Sequence, residues 1–111
     1  MFGQTIFKVK HIENYGNHKI NSDAKAPDGY QVIINKAITT IVIKNPTSDD
    51  MNFKISSKKK ENGIYIYDCV STTKNGSAPV FIHNDITKKT YKIIFPEDIE
   101  DNTGNYTLLI Y

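Results

Sequence analysis

Short bursts of alternating apolar and polar residues, separated by polar turn-forming clusters, recur along the whole chain. Eight runs carry the β-branched and aromatic enrichment of extended strands: 5–12, 30–34, 38–44, 51–57, 63–70, 79–83, 90–95 and 104–111. The alternation is sharpest where Met51, Phe53 and Ile55 face Asn52, Lys54 and Ser56, which predicts a strand with one buried and one wetted side. In Ile64-Tyr65-Ile66-Tyr67 both sides are apolar or aromatic. Tyr65 and Tyr67 then either cap a sheet edge or form an aromatic patch, and tyrosine's large amphipathic area makes the patch a candidate binding surface.

The punctuation agrees with strands. Pro27-Asp28-Gly29, Asn45-Pro46, Asn62-Gly63, Asn75-Gly76 and Asn102-Thr103-Gly104 are all turn chemistry. Helical periodicity is weak, and only 96–100, with Pro96 at its start, suits a helical turn. Residues 13–26 form the one long stretch without strand character, so a mobile loop is expected there. Strands at this spacing predict an all-β sandwich or barrel, with 1–111 as a single domain.

Composition narrows the class. A chain of 111 residues, 39% apolar and 23% charged, can fold around one core without staples. The formal charge is only +2, and all fourteen basic residues are lysine. Without arginine the chain lacks the planar fork suited to phosphates and base edges, so no nucleic-acid partner is expected. Cys69 is the single cysteine, which excludes an intrachain disulfide framework. The first residues lack a basic region followed by an apolar stretch, and no run approaches the ~18 apolar residues of a membrane span. The expectation is therefore no signal peptide, no membrane partner, and a cytoplasmic or virion-associated location.

Two stretches resemble known families. The segment Thr90-Tyr-Lys-Ile-Ile-Phe95 followed by Asp101-Asn-Thr-Gly104-Asn-Tyr106-Thr-Leu108 resembles the E-to-F region of immunoglobulin-like domains. That resemblance implies an antiparallel sandwich of seven to eight strands, with Tyr106 turning its hydroxyl back to the loop backbone at a corner. It further implies Leu108 and Ile41 or Ile43 where antibody domains place their cysteines, and Phe53 in place of the strand C tryptophan. The loop is one residue longer than the family's usual Asp-x-Gly, and both cysteines and the tryptophan are missing. The second stretch, Asn45-Pro46-Thr47 followed by Phe53-Lys54-Ile55, resembles the turn signature of major sperm protein domains, over about fifteen residues. Pro46 stops the ladder there, while Asn45 and Thr47 can bond back to the backbone and Asp49 keeps the loop wet. The same Asn-Pro-Thr is similar to one loop of chagasin-type protease inhibitors, whose following glycine and Arg-Pro-Trp loop are absent.

Candidate chemistry is sparse. Asp98, Glu100 and Asp101, with Glu97 nearby, form the densest carboxylate group and are weak calcium candidates without the spacing of a known calcium loop. His11, His18 and His83 form no pair at metal-ligand spacing. Nothing local activates Cys69, and Ser71, Thr72 and Thr73 are turn residues lacking a nucleophile elbow. Lys58-Lys59-Lys60 with Lys88-Lys89 suits a solvated, pairing-resistant edge better than an anion-binding patch.

These features point to a non-enzymatic structural or protein-binding module without cofactor, such as a small phage or virion component. Its partner would be a protein or a larger assembly, with self-association through an open edge beside the last strand. Two alternatives carry their own residues. An inhibitor would insert loops 45–50, with Asn45, Thr47 and Asp49, and 71–78 into an enzyme. A carbohydrate-binding module would use Tyr65, Tyr67 and Tyr91 as platforms.

Overall fold

The computed structural model describes residues 4–73, 76–95 and 103–111, and among these the regular structure is entirely β. The strands are β1 Gln4–Lys8, β2 His11–Gly16, β3 Lys19–Lys25, β4 Gln31–Asn35, β5 Thr40–Lys44, β6 Met51–Glu61, β7 Ile64–Thr73, β8 Gly76–Asp85, β9 Thr90–Ile94 and β10 Tyr106–Ile110. Each of the eight predicted runs overlaps a strand, and the run 5–12 divides into β1 and the start of β2. No helix among the described residues is long and apolar enough to cross a membrane.

All ten strands lie in one hydrogen-bonded order, β1-β4-β5-β6-β7-β8-β9-β10-β2-β3, and every pairing is antiparallel. The sheet curls into a half-barrel, so its concave side becomes the core. Val32, Ile41, Ile43, Phe53, Cys69, Val80, Ile82, Tyr91, Ile93 and Leu109 meet there, each at most 3% exposed. Burying a side chain of this size contributes about 1.5–3 kcal/mol, and nearly every strand from β4 to β10 supplies one or two.

The two ends of the sheet are drawn together by a link of two residues. β1 pairs with β4 and β2 pairs with β10, although only Val9 and Lys10 separate β1 from β2. The Val9 amide donates to Tyr30 O at 2.9 Å and the Lys10 amide to Ile110 O at 2.7 Å. Ala26 N donates in turn to Lys10 O at 2.9 Å. Beside this tie Phe7 packs edge-on against Tyr91 (centroids 5.3 Å apart) and at a tilt against Tyr111 (4.7 Å).

Several expectations change. Residues 13–26 are not a loop: they carry most of β2 and all of β3, joined at Asn17 and His18, both with positive φ (51° and 65°). That is the backbone of a tight hairpin turn, whose twist matches the flanking strands. Residues 71–78 likewise belong largely to the long β7–β8 hairpin instead of a loop. The last strand is not an edge either, since β10 is paired on both sides, with β9 and β2. The strands with one partner are β1 and β3. Leu109 is the buried residue of β10, whereas Leu108 is half-exposed, so Phe53 at 3% exposure meets Leu109's side of the strand in the core. Tyr106 shares Leu108's side; its ring stacks on Tyr15 at 4.5 Å and lies under the Lys92 ammonium at 4.3 Å.

Candidate functional site

One end of the half-barrel stays open as a cavity of about 470 Å3, within the usual range for small-molecule sites. Three pieces of backbone shape it: the start of β1, the β4–β5 turn and the β8–β9 turn. Strand alternation aims the aromatic wall. On β7 the tyrosines point inward and Ile64, Ile66 and Asp68 outward, so the two-sided run resolves with its rings, not its isoleucines, on the concave side. Tyr67 is buried and Tyr65 half-buried, and their rings stack nearly parallel (11°) at 6.4 Å. Lys60 places its ammonium 5.2 Å from the Tyr65 ring. Tyr91 from β9 and Tyr111 from the chain end complete the wall, their centroids 5.5 Å apart.

Gln4, Thr5, Asn35, Lys36, Asn84 and Lys89 bring polar groups to this mouth beside the tyrosine hydroxyls. Asn84, 3% exposed, donates through Nδ2 to Thr90 O at 3.1 Å and to the Tyr111 hydroxyl at 2.9 Å, which fixes both the turn and the ring. The Tyr91 hydroxyl is fully buried and has no hydrogen-bond partner among the described residues. Burial, followed by the neighbouring Tyr111 and Tyr67, drives its pKa far up, so it stays a protonated donor. Burial also raises the Tyr67 pKa.

The rim shows strain. In the β4–β5 turn the Asn35 carboxamide accepts from the amides of Thr39 (2.8 Å) and Thr40 (3.0 Å), and its Nδ2 donates to Thr39 Oγ1 at 2.7 Å. This holds Ile38 at φ 54°, a conformation that a β-branched residue adopts at a cost of about 1–2 kcal/mol. The strained residue is nevertheless 37% exposed at the mouth, and Ile86 in the β8–β9 turn is 48% exposed beside it. Apolar side chains held in the open on short turns suit a clamp.

The other sequence candidates lie elsewhere. Asn45, Thr47 and Asp49 sit in the β5–β6 loop, at the opposite end of β5 from the mouth. There the Asn45 side chain accepts from the Thr47 amide (3.0 Å) and hydroxyl (2.8 Å), so both residues serve the turn, as their chemistry implies. Asp49 is exposed. A smaller cavity of about 300 Å3 lies between this loop and the β2–β3 hairpin. Asp98, Glu100 and Asp101, and Glu97 with them, lie outside the described residues. Cys69 is buried, its pKa pushed up to about 12 by burial and then by Asp68, so the thiolate is scarce at neutral pH.

Sequence reasoning missed one cluster. His11 and Glu13 on β2 and Asp23 on β3 bring their ligand atoms within 4.8 Å of one another, with His11 Nε2 and Asp23 Oδ1 3.9 Å apart. Glu13 also accepts from the Tyr15 hydroxyl at 2.9 Å. The signal was the i, i+2 spacing of His11 and Glu13, which shares a face only once 13–26 is recognised as strand. These groups are half-buried or exposed and face the solvent.

Comparison with protein-family models, with curated proteins and with solved structures gives no match.

Proposed function

We propose that this chain is a non-enzymatic binding module whose ligand seats in the aromatic mouth of the half-barrel. The observation that carries this is the convergence of Tyr65, Tyr67 and Tyr91, from two strands, on one open cavity of about 470 Å3. Among the described residues its lining holds tyrosines, lysines and amides but no imidazole, carboxylate or thiol, which supports binding over catalysis. A sugar platform needs exposed ring faces, and Tyr67 and Tyr91 are buried, so an apolar ligand suits the mouth better than a carbohydrate.

Titration of 13C-methyl-labelled protein with small naphthalene derivatives tests the proposal. The Ile34, Ile38 and Ile86 methyls are expected to shift while Ile12 and Ile66 stay still, and Tyr65→Ala is expected to weaken the effect. Shifts spread evenly over all isoleucines, or none at the mouth, would refute it.

A second reading, a component of a protein assembly, is supported by the convex face. Ile66, Phe81, Ile94, Leu108 and Ile110 are only half-buried there, and Ile66, His83, Lys92 and Leu108 line up across four strands. Self-association on that face would appear as a dimer mass in light scattering, and a monomer at high concentration would remove it. An immunoglobulin-like relationship would rest on the motif around Tyr106 alone, and the single curled sheet of ten strands differs from the sandwich of seven to eight strands that this resemblance implies.

A further inference from the structure

Resting on the proposed ligand mouth, we infer that its occupant is a small organic acid with a flat apolar body, the acid group held at the rim. Two features of the lining specify this. The wall gathers the rings of Phe7, Tyr65, Tyr67, Tyr91 and Tyr111 beside several amides, with Tyr65 half-exposed and Ile38 and Ile86 standing open on the flanking turns. The charged side chains on that lining are Lys36, in the β4–β5 turn, and Lys89, in the β8–β9 turn; no described residue with a carboxylate side chain lines the cavity, and Asp85, in the turn of Lys89, is bonded to the Lys88 amide at 3.1 Å. Both lysines are exposed, and neither forms an ion pair with a described residue.

Among the described lysines only Lys59 forms an ion pair, with Glu61 at 3.4 Å, so what sets Lys36 and Lys89 apart is their place on the lining of an apolar cavity and not their lack of a partner. A neutral ligand would leave the two ammonium groups uncompensated beside it. A cation would be repelled at the rim. An anion gains from both, and the low-dielectric ring wall strengthens that attraction relative to open water.

The backbone supports the assignment. Each lysine belongs to a turn with a residue in the left-handed region, Ile38 at φ 54° beside Lys36 and Lys89 itself at φ 56°. The amide of Ile38 bonds Asn35 O at 3.0 Å, that of Lys89 bonds Ile86 O at 3.3 Å, and Tyr111 N bonds Lys89 O at 3.0 Å. Each cation therefore rises from a fixed turn, and each turn also carries an exposed isoleucine. The pairing of one apolar and one cationic side chain on each flank matches a ligand with an apolar body and an acid head.

Calorimetry with three isosteric probes tests the inference: 2-naphthoate, its neutral amide 2-naphthamide, and the cation 2-naphthylmethylammonium. The expected order is naphthoate tightest and the cation weakest. Lys36→Gln and Lys89→Gln should each weaken naphthoate by about three- to fivefold and leave naphthamide unchanged. Added salt should weaken naphthoate alone. Both variants lie on the surface and leave in place the turn hydrogen bonds, which are made by backbone groups and by the Asn35 and Asp85 side chains. Equal binding of naphthoate and naphthamide, or naphthoate binding indifferent to both substitutions, would overturn the anionic assignment and leave the mouth a ligand site. Failure of all three probes to bind would overturn the mouth itself.

Discussion

Tyr91 has 0% exposure and a hydroxyl without a partner among the described residues, an arrangement that desolvates a donor and returns nothing. Leaving such a group unsatisfied costs about 1–3 kcal/mol. Tyr91→Phe keeps the ring contacts with Phe7 and Tyr111, so it should be neutral or stabilise the protein by up to about 1 kcal/mol in denaturant unfolding. A clear loss of stability would mean that the hydroxyl has a partner. Ile38 offers a second trade. Ile38→Asn fits the positive φ better and should raise stability by about 1 kcal/mol, while removing an apolar contact and so weakening naphthalene binding at the mouth. A variant gaining stability with binding intact would show that the strain serves no ligand. His83 connects this scale to pH. Burial first, and Lys92 next, lower its pKa below the ordinary 6.5, with Lys59 acting the same way and Asp68 opposing. The unfolded chain therefore takes up this proton before the folded one does. The contribution is complete above pH 6.5, declines as pH falls below that value, and levels off below the folded pKa. His83→Gln should flatten urea-derived stability across that acidic window, and an unchanged slope would assign it to other groups.

At the scale of elements, legibility followed burial. The strands whose alternation is set by the core, such as β6 with Phe53 inside and Lys54 outside, could be read directly from the sequence. β3 could not, because every residue from Lys19 to Lys25 is exposed and its only apolar residues, Ile20 and Ala24, are too few to mark an apolar period. Its turn did carry a signal, since Asn17 tolerates the left-handed conformation, but it is followed by histidine instead of the usual glycine. β10 failed differently. In Tyr106-Thr-Leu-Leu-Ile-Tyr111 two adjacent leucines make either phase plausible, and the immunoglobulin-like comparison favoured Leu108 inside. The ladder decides otherwise: Leu109 lies opposite Tyr91 on β9 and Ile12 on β2, both of which contribute to the core. A shift of one residue exchanges the faces of a whole strand. Leu109→Ala should accordingly cost about 2–5 kcal/mol, and Leu108→Ala less than about 1.5 kcal/mol, as befits a half-exposed site. The reverse order would restore the other phase. The site was legible to the same degree. Tyr65, Tyr67 and Tyr91 could be named from sequence, whereas the mouth could not, because Lys36, Ile38 and Ile86 reach it only through turns closed by the curl.

The curl itself is a property of the whole chain, and it depends on two residues that belong to no strand. A sheet open along both ends would leave its concave side wet, and the apolar lining from β4 to β10 would then stabilise little. The link at Val9 and Lys10 prevents this by bonding to Tyr30, just before β4, and to Ile110, at the end of β10, from adjacent amides, while Phe7 fills the gap beside Tyr91. If the tie is part of the cooperative fold, its amides open only when the half-barrel opens. Native-state hydrogen exchange should then show Val9 and Lys10 protected to the same level as Ile41 and Ile82 in the core, despite lying in a two-residue link. The amides of β3, on an edge that is exposed throughout, should exchange far sooner. Denaturant should bring Val9 and Lys10 into the global opening together with β4 and β10. Rapid exchange at both amides, with the core strands still protected, would mean that the sheet holds its curl without the tie. The mouth would then owe its shape to the packing of Phe7, Tyr91 and Tyr111 alone, and Phe7→Ala would open the half-barrel where loss of the two hydrogen bonds does not.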